Sequence, residues 1–215
     1  MFTGLVEGIG HVAGAQRRGE GLRLRINLAT LAEGVKVGDS INVSGACQTV
    51  VAIDGQVADF DSIPETLRLT TLGRLSVGEQ VNLERSLAAG APIGGHFVTG
   101  HVDGTGKVIE NRASGGQHLI RVRVSAELAR DMVPKGSIAI DGVSLTLVDV
   151  SAEEFSVALI PLTLRHTTLG LRKSGDEVNI ETDILAKYVR KIISTQAGDS
   201  SGITEEKLRQ SGLID

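Results

Sequence analysis

Few side chains in this sequence can act as nucleophile, acid or base near neutral pH. They are one cysteine, Cys47, and five histidines, His11, His96, His101, His118 and His166. A thiol reacts as its thiolate and an imidazole titrates near pH 7, so these residues bound the chemistry open to the chain. They fall into none of the familiar spacings. Cys47 has no CxxC partner and the histidines are scattered, so no metal site is expected. No GxGxxG follows a strand pattern, and neither a GxxxxGK[ST] loop nor a GxSxG elbow occurs, so dinucleotide, NTP and serine-hydrolase chemistry are not indicated. By residue type alone, Cys47 reads as a small buried hydrophobe and His101 as a satisfied surface residue.

An internal duplication gives these residues a context. Ser62–Glu84, SIPETLRLTTLGRLSVGEQVNLE, lies without a gap on Leu159–Glu181, LIPLTLRHTTLGLRKSGDEVNIE, with thirteen of twenty-three positions identical. SINVSGACQTV from Ser40 falls on SIAIDGVSLTL from Ser137 at the same offset of 97 residues, and TGLVEGIGHV from Thr3 falls on TGHVDGTGKV from Thr99. A unit this long is a whole small domain, larger than the repeats of solenoids and propellers. Its chemistry lies where the copies diverge: Cys47 stands opposite Ser144, Leu5 opposite His101, and Leu69 opposite His166. Two similar pockets with different polar groups suggest related ligand sites with different tasks. The Thr70–Thr71 and Thr167–Thr168 pairs read as strand residues by propensity.

The elements that position these residues are mostly strands. Arg23–Leu28 and His118–Val124 alternate apolar and polar residues, as half-buried strands do. SINVSG, QTVVAI, VADF and QVNLE in the first copy, and GSIAIDG, SLTLVDV, EFSVALI and EVNIE in the second, are short β-rich runs between turn residues. Leu28–Gly34 and Ser125–Val133 read as single helical turns. Many short strands per copy predict a small antiparallel barrel or sandwich. The boundary falls in the Gly- and Pro-containing stretch Ala88–Gly95. After Glu181, Ile184, Leu185, Tyr188, Val189 and Ile192 mark one face of a helix behind Asp183 as N-cap.

The chain has 215 residues and a net charge of −4, which argues against a nucleic-acid binder. Its apolar fraction of 41% supports a folded core, and five aromatic residues make that core aliphatic. One cysteine excludes an intrachain disulfide framework. No apolar stretch spans a bilayer and MFTGLVEGIG has no signal-peptide pattern, so a cytoplasmic protein with no membrane association is expected.

The motifs MFTG, GAC-x-T (Gly45–Thr49), PETLR-x-TTLG (Pro64–Gly73), GGHFVTGHVDGTG (Gly94–Gly106), IDGVSLT (Ile140–Thr146), LIP-x-TL-x-HTTLG (Leu159–Gly170) and VNIE-x-D-x-LAKYV (Val178–Val189) together resemble the riboflavin synthase family. The match runs in order from Met1 to about Lys191, with Ser44 where the family often has Asn and Gln48 where it usually has Leu. The resemblance implies an all-β fold: tandem duplicated six-stranded Greek-key antiparallel barrels plus a C-terminal oligomerisation helix. The domains would be residues 1–96 and 97–182, a trimerisation helix 183–194, and a linker and tail 195–215.

The resemblance also implies the reaction. Two molecules of 6,7-dimethyl-8-ribityllumazine would dismutate by four-carbon transfer to riboflavin and 5-amino-6-ribitylaminouracil, without cofactor or metal. Carried over by motif, the first pocket would use Gly4, Leu5, Val6, Cys47, Gln48, Thr49, Asp61, Ser62, Ile63, Pro64, Glu65 and Thr66. The second would use Gly100, His101, Val102, Lys135, Ser144, Leu145, Thr146, Leu159, Ile160, Pro161, Leu162, Thr163 and Leu164. His101 is the candidate base, Cys47 or water the nucleophile, and Ser144 and Thr146 the groups that orient the second substrate. A homotrimer, with lumazine synthase as a further partner, belongs to the same expectation. The competing reading is a non-catalytic lumazine- or flavin-binding homologue.

Overall fold

The computed structural model describes residues 1–114, 117–198, 209 and 211–212. The first copy forms β1 (Gly8–Arg18), β2 (Gly21–Asn27), β3 (Ser40–Val43), β4 (Ala46–Asp54), β5 (Val57–Ser62), helix α1 (Pro64–Leu69) and β6 (Gln80–Arg85). The second forms β7 (Gly104–Ser114), β8 (Gln117–Arg123), α2 (Ala126–Ala129), β9 (Ser137–Ile140), β10 (Val143–Val150), β11 (Glu154–Leu159), α3 (Pro161–His166) and β12 (Glu177–Thr182), followed by α4 (Ile184–Gly198).

Each copy closes into a six-stranded barrel with all neighbours antiparallel. The ring order is β1-β2-β5-β4-β3-β6 in the first and, equivalently, β7-β8-β11-β10-β9-β12 in the second. β3 sits between β4 and β6, away from β2, so the connections cross the barrel ends in Greek-key fashion. Closure leaves no sheet edge to template association.

Alternation on the strands fills each barrel with apolar side chains, mostly aliphatic. Leu24, Ile26, Ile41, Val43, Phe60, Val81 and Leu83 are buried in the first, and Ile120, Val122, Ile138, Ile140, Val157, Val178 and Ile180 in the second. Each such side chain contributes about 1.5–3 kcal/mol on burial. A third cluster, Phe2, Val98 and Ala139 with Cys47 against it, lies between the barrels.

Two hairpin tips meet at the pseudo-twofold. Ser44–Gly45 and Asp141–Gly142 all have positive φ, as a two-residue type I′ turn requires. A Cβ on Gly45 would lie 3.0 Å from the Gly142 nitrogen, and one on Gly142 would lie 2.8 Å from the Gly45 nitrogen. Only glycine lets the tips touch.

Two local readings of the sequence are corrected, and two strands extend that reading. The first and seventh strands escape the alternation rule, because β1 carries glycines at 8, 10 and 14 and a bulge between Val12 and Gly14. The TTLG segments are not strands. Thr70 and Thr167 close α1 and α3 by donating to the Thr66 and Thr163 carbonyls at 2.6 and 2.7 Å, and each then caps a 3₁₀ turn. The last helix runs to Gly198, four residues into the stretch read as linker; the remainder of that tail falls outside the described residues except for 209, 211 and 212.

α4 belongs to a separate compact unit, Leu185–Asp215. Its Leu185, Tyr188, Val189, Ile192 and Ile193 are exposed. No helix among the described residues is long and apolar enough to cross a membrane.

Candidate functional site

Cys47 lies on β4 where the barrel wall opens. The β4–β5 ladder runs only from Val50/Phe60 to Asp54/Val57, so Ala46–Thr49 and Asp61–Ser62 splay apart. One buried side-chain bridge spans the gap: Ser62 Oγ donates to Gln48 Oε1 at 2.6 Å, and Gln48 Nε2 donates to the Cys47 carbonyl at 2.8 Å. The second barrel splays at the equivalent place, but there Leu145 and Leu159 face its apolar core.

In front of Cys47 is a cleft of about 220 Å³ lined by Ala46, Glu65, Thr66, Leu69, Thr70, Gly100, His101 and Val102. One wall is α1, started by Pro64 and closed by Thr70. The other wall comes from the second copy. Cys47 N–H donates to the Gly100 carbonyl at 2.8 Å, and Val102 packs into the first barrel's core. A Cβ on Gly100 would come within 2.6 Å of Cys47 Cβ, so this approach needs glycine.

The second site mirrors this. Ser144 N–H donates to the Gly4 carbonyl at 2.8 Å, and Val6 packs against the second barrel's core. The assignment of Gly4, Leu5 and Val6 to the Cys47 pocket, and of Gly100, His101 and Val102 to the Ser144 pocket, is therefore reversed. The two TG segments are exchanged between barrels. They pair with one another on the way, Phe2 N–H donating to Val98 O at 2.7 Å and Val98 N–H to Phe2 O at 3.1 Å.

A single carboxylate cradles each exchanged segment. Glu84 accepts from Thr3 N–H and Oγ1–H at 2.7 Å each and from Gly4 N–H at 3.0 Å. Glu181 does the same for Thr99 and Gly100, at 2.7, 2.7 and 3.0 Å. Burial pushes the Glu84 carboxyl above the ordinary carboxylate range, against the pull of the Thr3 and Gly4 donors.

Ser144 has a partner that Cys47 lacks. His96 Nδ1 lies 2.7 Å from Ser144 Oγ, and His96 N–H donates to the Thr3 carbonyl at 3.1 Å. Burial lowers the His96 pKa, with Asp183 pulling the other way. The ring is thus neutral at pH 7, with one hydrogen bond shared between Nδ1 and Ser144 Oγ, while Nε2 is a buried atom without a hydrogen-bond partner. His96 escapes a reading by repeat comparison because it precedes the second TG motif and has no counterpart in the first copy.

The other nominated residues sort by environment. Thr49 and Thr146 share the outward strand faces of Cys47 and Ser144. Asp61 points outward into a two-pronged pair with Arg23 at 2.5–2.7 Å, which lowers its pKa, and Glu65 pairs with Arg68 at 2.6–2.9 Å. Ile63, Ile160 and Leu162 are exposed at the starts of α1 and α3, beside Pro64 and Pro161, while Leu164 packs inward below Thr163. Lys135 holds a left-handed turn at φ 67°, where the first copy has Gly38.

Comparison with known proteins agrees with this duplicated design. The model of the lumazine binding domain matches residues 3–86 and again 99–183. The chain is 40% identical over 215 residues to a riboflavin synthase of Actinobacillus pleuropneumoniae, covering 99% of this chain and 100% of that one. It is 43% identical over 201 residues to a riboflavin synthase of Brucella abortus, covering 91% and 100% respectively. Among solved structures, it resembles LumP complexed with 6,7-dimethyl-8-(1'-D-ribityl) lumazine, with a TM-score of 0.77 and 28% identity over 85% of this chain and 99% of that one. LumP complexed with riboflavin gives a TM-score of 0.78 at 29% identity over the same shares. Twofold matching of the domain, near-complete coverage of the relatives and the paired Cys47 and Ser144 sites lead to one assignment: the chain belongs to the riboflavin synthase family.

Proposed function

We propose that this chain dismutates two molecules of 6,7-dimethyl-8-ribityllumazine, moving a four-carbon unit from one to the other and releasing riboflavin and 5-amino-6-ribitylaminouracil. One observation carries the reading: the chain holds two sites of one build but different chemistry, a thiol beside His101 in one and a serine beside His96 in the other. A reaction that consumes two copies of one substrate, one as donor and one as acceptor, asks for that arrangement.

The residues divide the work as follows. The Cys47 thiol adds at C7 of one ring and is expelled when that ring gives up its four-carbon unit, and His101, exposed at the rim of the same cleft, takes a proton from the 7-methyl group of the other. The carbanion, which attacks the first ring, is delocalised into its own ring, so the base needs only modest strength. Ser144, hydrogen-bonded to His96, and Thr146 orient the second substrate. The largest contribution is proximity, since holding two reactants in register supplies about 7–11 kcal/mol. Splayed strand edges and hydroxyls suit a flat pyrimidinedione and a ribityl chain.

The assembly follows from size and exposure. A cleft of about 220 Å³ is smaller than the roughly 300–1,000 Å³ of ligand pockets, which leaves the second ring to be brought by a neighbouring chain. The apolar residues of α4 supply the contact for a homotrimer. The test is direct. Purified protein and 6,7-dimethyl-8-ribityllumazine, with nothing else added, yield riboflavin and the pyrimidinedione in equal amounts. Binding without riboflavin formation would replace this reading with that of a non-catalytic lumazine binder.

A further inference from the structure

Residues i and i+2 of a strand share a face. β6 and β12 carry the same pair on that spacing, Asn82 with Glu84 and Asn179 with Glu181. All four are almost fully buried, at 1, 4, 1 and 2% exposure. Burying amides and carboxylates is costly unless their polar atoms are matched, so the partners reveal what each residue is placed to hold.

Those partners lie in the opposite site. Asn179, on a strand of the second barrel, accepts from Thr71 N–H at 2.7 Å and donates to the Ser44 carbonyl at 2.7 Å. Thr71 follows Thr70 in the wall of the Cys47 cleft, and Ser44 begins the hairpin tip that leads into Cys47. Glu181 holds Thr99 and Gly100, and Gly100 in turn holds the Cys47 peptide. β12 thus fastens three walls of a cleft that belongs to the other barrel. β6 repeats the scheme in mirror: Asn82 accepts from Thr168 N–H at 2.8 Å and donates to the Asp141 carbonyl at 2.9 Å, while Glu84 holds Thr3 and Gly4 against Ser144.

We propose that these Asn-x-Glu pairs are crossed positioning residues, Asn179 and Glu181 setting the ligand site at Cys47 and Asn82 and Glu84 setting the site at Ser144. The proposal rests on the reading of the Cys47 cleft as a ligand site. It makes a prediction that general loosening does not: each substitution weakens the site in the barrel that does not carry it.

Cys47 is the chain's one cysteine, so its alkylation reports on one site alone. The experiment follows iodoacetamide labelling of the full-length protein at increasing riboflavin, in wild type, Asn179→Ala, Glu181→Gln, Asn82→Ala and Glu84→Gln. Riboflavin protects wild-type Cys47. In the Asn179 and Glu181 variants half-protection needs about tenfold more riboflavin, the loss expected for one positioning hydrogen bond. In the Asn82 and Glu84 variants it stays within about twofold of wild type by the same reasoning. Where an alanine variant does not fold, Asn179→Asp and Asn82→Asp replace it, each keeping the acceptor and removing the donor. Equal weakening from both strands, or none from β12, overturns the crossed assignment. Failure of riboflavin to protect wild-type Cys47 instead overturns the underlying reading of the cleft.

Discussion

At the scale of single residues, the two sites differ in how a poor nucleophile is handled. A thiol is the better nucleophile of the two, whereas a hydroxyl needs a base beside it; His96 lies at hydrogen-bond distance from Ser144, and His101 lines the cleft of Cys47. Repeat comparison found Cys47, Ser144 and His101 because each differs from its counterpart. It passed over His96, which has no counterpart to differ from. Burial gives His96 a measurable signature. Its pKa is lowered in the folded state, so between the ordinary histidine value of about 6.5 and that lower value the unfolded chain binds more protons, and stability falls as pH falls through this window. His96→Gln removes that proton uptake. Thermal melts from pH 7 to pH 5 should show wild type losing more stability than His96→Gln, along with weaker turnover in the variant at pH 7. Parallel melting curves would show that His96 is not held neutral by burial.

At the scale of elements, the alternating runs were legible because their side chains divide between core and solvent. The exchange of the TG segments was not, since no local pattern says which barrel a segment of six residues will cross to. It is settled by long-range bonds between the copies, such as Ser144 N–H to the Gly4 carbonyl and Cys47 N–H to the Gly100 carbonyl. The duplication also supplies its own controls. Asp141, fully buried at one hairpin tip, accepts from Asn179 N–H at 2.8 Å and pairs with Arg172 at 2.6 Å; burial still holds its carboxyl above the ordinary range. The first copy has Ser44 there, accepting from Asn82 N–H at 3.1 Å, and Leu75 in the place of Arg172. Arg172→Leu leaves a buried charge unpaired and should cost about 3–5 kcal/mol. Asp141→Ser with Arg172→Leu installs the first copy's solution and should recover most of that loss in urea unfolding. No recovery would mean that the ion pair does more than occupy its own niche.

At the scale of the whole molecule, the repeat announced two barrels, but the sequence left open where two substrates meet. Each site takes segments from both barrels of one chain, and each is framed by a strand of the opposite barrel, so the pair of barrels is the smallest unit that can build a complete cleft. The barrels therefore need one another to bind, whereas in the proposed function the two bound rings meet across a neighbouring chain. Those requirements separate on truncation. Thr182 N–H and Oγ1–H both donate to Asp103 Oδ2, at 2.8 and 2.9 Å, and Asp183 acts on His96, so the cut belongs after Asp183. A chain ending there keeps both barrels and loses the exposed apolar residues of α4, a helix too short to be stable alone in water. It should sediment as a monomer, bind the lumazine, and form riboflavin at under a tenth of the full-chain rate, given the share of the barrier that proximity supplies. Sedimentation and riboflavin formation are measured at one protein concentration. A monomer with full turnover would show that both rings meet within a single chain, and the role given to α4 would then fall to the contact between the two barrels.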